Sequence, residues 1–239
     1  MLRIMPREMR LMGERILSLT GQPKGLFLSL VDIVMYSQKL DAGGFALLEN
    51  ALESFKAADP TRIAIKAEEQ GAVVLDANQE HAWFVLPVAV DLLGELVSRF
   101  GRGEVTVENS RDPKELIIAA ELGRRSGLEI SLDRQASGDA LRLTAVARPL
   151  TGDFRQDEPL LAALMDEGTP IHDDLWWRIY HLARTALAPD TVVSRRHAGP
   201  LIVNEDGSVI GRTDNDDDTD VSFLTKSGRD SERRQGAGA

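Results

Sequence analysis

Between Ala188 and Asp220 the chain carries its densest set of groups able to do chemistry. Ser194, Arg195, Arg196 and His197 come first, then Ala198-Gly199-Pro200, and after a short apolar stretch Asp214, Asn215, Asp216, Asp218 and Asp220. A guanidinium is a planar fork that matches a carboxylate or phosphate, and a neighbouring hydroxyl adds a donor. On that reading Ser194, Arg195, Arg196 and His197 are anion-recognition candidates, and Asp214, Asp216 and His197 are the catalytic candidates. The alternative is that one of the arginines pairs with Asp214 or Asp216 and locks the chain's own loop. Both readings bring the two halves together across a hairpin, Leu201 to Val203 against Ser208 to Ile210, with Asp206-Gly207 as the turn former.

Other chemistry is weaker. Asp214, Asp216, Asp218 and Asp220 alternate like the opening of a calcium loop, but Thr219 stands where the loop needs its Gly and Thr225 where it needs its closing acid. A solvated acidic turn is expected there, and no metal. His172 and His181 are nine apart and would face opposite ways on a helix. Trp176-Trp177 reads as packing. Asp32, with Ser29 and Tyr36, is expected on the wet face of its helix. Phosphate-binding, dinucleotide-binding and nucleophile-elbow motifs are absent, so no cofactor is expected.

Composition narrows the class. The 239 residues are 43% hydrophobic and 28% charged, ordinary values for a globular protein that can bury a sizeable core. A formal charge of −10 argues against a nucleic-acid partner. The chain has no Cys, which excludes disulfides and thiolate chemistry. The charged start of the chain lacks a signal-peptide core, and the apolar run around Leu26 to Tyr36 is too short to span a bilayer. An acidic, soluble, cytoplasmic bacterial protein without a membrane partner is expected.

The elements that must position these groups follow from periodicity. Leu26–Leu40 and Phe45–Ala58 read as helices, the second with Leu48, Leu52 and Phe55 on one side. Ile63 to Leu75 reads as a hairpin, and Leu86–Phe100 as a helix with Pro87 in its first turn and Gly101 as its stop. Val105 and Val107 form a strand, Asp112-Pro113 caps a helix to Ser126, and Leu128–Leu132 and Leu141–Ala147 pair. Leu160–Met165 and Asp174–Leu187 are helices, the latter with a Leu175, Ile179, Leu182, Ala186 stripe. This predicts an α+β fold with N-terminal helices, a mixed central sheet with packed helices, and a C-terminal helix plus hairpin. One globular domain over 1–225 is expected (1–58 helical, 59–150 α+β, 151–225 helix and polar loop), then a disordered tail over 226–239.

The order Leu182-Ala183-Arg184-Thr185, Ala188-Pro189, Ser194-Arg195, Ala198-Gly199, Thr213-Asp214-Asn215-Asp216 resembles a proteobacterial domain-of-unknown-function family, number 3726. Gly21-Gln22-Pro23-Lys24-Gly25-Leu26 is similar to its opening pattern, and Thr61 to Leu150 is unmatched. The stretch Leu201 to Arg212 is inserted relative to that pattern. The resemblance implies a site at Ser194, Arg195, Gly199, Asp214, Asn215 and Asp216 but no reaction. Two functions follow: a non-catalytic accessory or interaction protein, or an enzyme or binder of a small anionic metabolite using Arg195 with Asp214 or Asp216.

Overall fold

The computed structural model describes residues 1–134 and 140–187, and beyond them the backbone pairs 202–203 and 209–210. The chain divides into two units, Met1–Leu187 and Ala188–Ala239. In the second, β8 (Ile202–Val203) pairs antiparallel with β9 (Val209–Ile210) in the register Ile202 to Ile210 and Val203 to Val209. That is the hairpin the Asp206-Gly207 signal predicts. Ser194, Arg195, His197, Gly199, Asp214, Asn215 and Asp216 lie outside the described residues.

The first unit is an α+β fold. Its main sheet has the order β2-β3-β4-β6-β5, built from β2 (Ala64–Glu69), β3 (Ala72–Asp76), β4 (Arg102–Glu108), β5 (Leu128–Arg134) and β6 (Leu141–Ala147). Only β3 and β4 run parallel, because the helix α4 (Ala82–Phe100) carries the chain back between them. Alternation sorts each strand by face. Val73, Leu75, Val105, Val107, Leu143 and Ala145 are buried, while Glu104, Thr106 and Glu108 face the other way. The helix α4 lies on the apolar face against β4 and β6, and α5 (Ala119–Arg125) lies on β5.

A helical layer completes the core. It comprises α1 (Pro6–Ser18), α2 (Lys24–Lys39), α3 (Gly44–Lys56) and α8 (Asp173–Arg184). A small second sheet pairs β1 (Leu2–Ile4) with β7 (Thr169–Ile171). The short helices α6 (Phe154–Asp157) and α7 (Pro159–Glu167) lead into β7. Leu48, Leu52 and Phe55 are buried on α3 as the spacing predicts. On α8 the buried stripe is Trp176, Ile179 and Ala183, with Leu175 and Leu182 only partly covered, a shift of about one residue from the expected one. Phe45 meets the Trp176 ring edge-on at 5.9 Å, which draws that face inward. Among the described residues no helix is long and apolar enough to cross a membrane.

Three local expectations need correction. The helix α4 begins at Ala82, one turn before Leu86, so Pro87 sits inside it and not in its first turn. His81 supplies the missing start signal. Asp112 makes no side-chain cap; it adopts φ 51°, and Pro113 opens a 3-10 turn to Ile118 before α5 begins. Tyr36, grouped by spacing with the wet face of α2, is 2% exposed.

Candidate functional site

The described residues concentrate their buried polar groups beyond the carboxyl ends of β3 and β4. The parallel ladder continues into the two loops: Ala77 N donates to Glu108 O (2.9 Å), Gln79 N to Asn109 O (2.9 Å) and Arg111 N to Glu80 O (3.1 Å). Asp76 Oδ1 accepts from Asn78 N and from Asn109 Nδ2, both at 2.9 Å, and so ties one loop to the other. Those hydrogen bonds, the one from Asn109 foremost, hold the Asp76 carboxyl below the usual range. Asn78, Gln79, Asn109 and Asp112 all have positive φ, between 48° and 66°. Asn and Asp tolerate this region; Gln79 does so at more cost. Four such residues in two adjoining loops mark a place where the surroundings dictate backbone shape.

His81, 2% exposed, stands between the loops. Its Nδ1 accepts from Trp83 N at 3.1 Å and caps α4. That bond requires an unprotonated Nδ1, so the ring is the neutral tautomer with its hydrogen on Nε2. Nε2 lies 3.3 Å from Asp112 Oδ2, near enough for attraction but not aligned as a hydrogen bond. Burial lowers the imidazole pKa to about 4; Asp112 opposes this and Arg111 adds to it. Glu80 beside it is 3% exposed, with Oε1 near Arg62 Nη1 at 3.6 Å and Oε2 unpartnered.

The network continues inward through Trp83. Its indole Nε1 donates to Glu115 Oε2 at 2.9 Å, and Ser37 Oγ donates to the same oxygen at 2.6 Å. Ser37 Oγ in turn accepts from Gly44 N at 2.7 Å, at the start of α3. Ser37 and Glu115 are both fully buried. Glu115 Oε1 has no partner, and a Cβ placed on Gly43 would stand 2.9 Å from it. Hydrogen bonds thus run from the entry of α3 to the entry of α4 through one carboxylate.

A second constellation joins α2 to α5. Arg125 donates from Nη1 to Asp32 Oδ2 (2.7 Å), from Nη2 to Tyr36 Oη (2.8 Å) and from Nε to Glu158 Oε2 (3.0 Å). Asp32 Oδ1 also accepts from Arg10 Nη1 at 2.9 Å, so the expected solvated acid is an ion-paired one. Burial pushes the Tyr36 phenol up to about 12, against the lowering effect of Arg125. Burial acts to lower the Arg125 pKa, and its bonds to Asp32 and Glu158 outweigh it and raise it.

Spacing points to none of His81, Glu115 and Arg125, and it assigns Asp32 and Tyr36 to a wet face. His81 lacks a metal-type partner in sequence, Glu115 sits in what reads as a surface capping motif, and Arg125 belongs to a scattered basic pair. The one local signal is Asp112-Pro113-Lys114-Glu115, which marks an abrupt change of backbone direction. His172 is exposed, and His181 lies beside Tyr180 with its ring 5.8 Å away. Trp176 is buried whereas Trp177 is half-exposed. Among the described residues no group of His, Asp or Glu could hold a metal ion.

No family model matches the sequence, and no curated protein is similar to it. Solved structures are similar in fold. A protein from E. coli provisionally named a malate/lactate dehydrogenase aligns with a TM-score of 0.57 and 10% identity over 80% of this chain and 97% of its own. A dehydrogenase from Sinorhizobium meliloti aligns at 0.54 and 11% over 76% and 99%. Malate dehydrogenase from Entamoeba histolytica reaches only 0.45 at 16% identity, and this chain spans 38% of that enzyme's length. At such identities the likeness is one of fold alone: the chain shares an α+β scaffold with these two proteins.

Proposed function

We propose that this chain is a non-catalytic accessory or interaction protein built on a dehydrogenase-like scaffold. One observation carries the reading. Open α/β sheets take their ligands beyond the carboxyl ends of parallel strands. Here that position, past β3 and β4, is filled by His81 and Glu80, 2% and 3% exposed and turned into the protein. The His81 imidazole spends its acceptor nitrogen on capping α4, which is a fold-holding task. The C-terminal Ser194, Arg195, Gly199 and Asp214-Asn215-Asp216 pattern, a cytoplasmic location and the family resemblance belong to the same proposal.

The second reading is an enzyme or binder of a small anionic metabolite that uses Arg195 with Asp214 or Asp216. The description of the E. coli fold relative as a malate/lactate dehydrogenase supports it, since malate and lactate are small hydroxy-acid anions. One experiment separates the two. The purified chain is mixed with NAD or NADP and with malate or lactate, and hydride transfer and thermal shift are measured. The accessory reading expects neither turnover nor a ligand-induced shift. Turnover that disappears in Arg195→Lys would overturn it and establish the second reading.

A further inference from the structure

A cavity of about 160 Å³ opens between α2, α4 and α5. Its lining has an unusual division of charge. Ile33, Val90 and Leu122 supply apolar walls, Arg125 and Ser126 supply donors at the end of α5, and carboxylates come from Asp91 on α4 and from Asp32 on α2, the latter already paired with Arg125. We propose that this cavity binds a small zwitterion of the aliphatic α-amino-acid class, its carboxylate on Arg125, its ammonium on Asp91 and its side chain against the apolar walls. The inference uses none of the residues invoked for the accessory reading and does not rest on it.

Arg125 is preset for that task. Glu158, Asp32 and Tyr36 take three of the five guanidinium N–H groups, and the Tyr36 ring lies 5.7 Å from its central carbon. One N–H on each terminal nitrogen remains, the number a carboxylate accepts in a two-point contact. Because four contacts already hold the side chain, a ligand loses little by ordering it. Asp91 is the complement: it is exposed and has no hydrogen-bond or ion-pair partner among the described residues, so its charge is free to take an ammonium. Asp32 cannot do so equally well, because each of its oxygens already accepts from an arginine. Size selects a short ligand, since pockets for drug-sized molecules run roughly 300–1,000 Å³. A dinucleotide would not fit.

The test is calorimetric titration of the full chain with L-valine, with isovalerate (the same skeleton without the amine) and with isobutylamine (without the carboxylate). Valine is expected to bind saturably, and each truncated analogue about tenfold more weakly or worse, as befits the loss of one charged contact. Asp91→Asn, at an exposed position, should keep the fold by circular dichroism, weaken valine about tenfold and leave isovalerate unchanged. Absence of saturable valine binding at tens of millimolar would overturn the proposal. So would isobutylamine binding as tightly as valine, or an Asp91→Asn variant that binds valine like the parent.

Discussion

Trp83 Nε1 and Glu115 Oε2 meet at 2.9 Å inside the core, 32 residues apart in sequence, and the same oxygen takes the Ser37 hydroxyl. One carboxylate therefore satisfies donors from α2 and α4, and through Ser37 the first amide of α3.

Replacing that carboxylate should be severe. Glu115→Ala strands a buried indole N–H and a buried hydroxyl, each costing about 1–3 kcal/mol. Glu115→Gln retains an oxygen for both donors and should cost less than Glu115→Ala. Urea unfolding of both variants checks this; equal midpoints for alanine and glutamine would refute the network's role.

Gly44 is the second expected weak point. Its φ is 52°, and an added Cβ would lie 2.3 Å from Gln38 Oε1 and 2.7 Å from the Gln38 Cα. Backbone cannot yield as a flexible side chain does. Gly44→Ala is expected to destabilise by roughly 2–4 kcal/mol from strain and clash together. A melting temperature within one degree of the parent would show that the turn can open.

Stability should depend on pH through His81. Its folded pKa, about 4, lies below the unfolded value of 6.5, so the unfolded chain binds the extra proton. The contribution is complete above pH 6.5 and is lost as pH falls towards 4. Between pH 7 and pH 5 the loss is about 2 kcal/mol by linkage. His81→Asn keeps a capping oxygen for Trp83 N but does not titrate, so its urea midpoint should fall less over that interval. A parallel decline in parent and variant would remove His81 as the cause. Asp112→Asn, which also tolerates positive φ, should move the imidazole pKa further down in an NMR titration, because Asp112 is the group that raises it.

Arg125→Lys keeps the charge but loses the fork. A single ammonium cannot reproduce the bonds to Asp32, Tyr36 and Glu158 in their present directions. The expected cost is about 1–2 kcal/mol, read as a fall in melting temperature. Full retention of thermal stability would mean that the three contacts are interchangeable with water.

Periodicity is enough for many of the elements, though not for α1, β1 and β7. The helices α2 and α3, the strands of the main sheet and the β8/β9 hairpin are legible because apolar spacing and turn residues are local properties that repeat every 3.6 or 2 residues. Even the α+β class follows from their order along the chain. Start signals were harder: Pro87 suggested the first turn of α4, but the cap is His81, whose role depends on burial between two loops. The inward polar network was illegible for the same reason. Ser37, Trp83 and Glu115 belong to three segments, and no spacing rule relates them until β3 and β4 pair and α4 folds over the sheet. Asp32 and Tyr36 share a helical stripe with Ser29, and that stripe reads as wet. Only the arrival of Arg125 from α5 turns it into an ion pair and a buried phenol. Sequence spacing reports which face a residue shares with its neighbours; what covers that face is decided by chain segments far away, and so is the chemistry it can do.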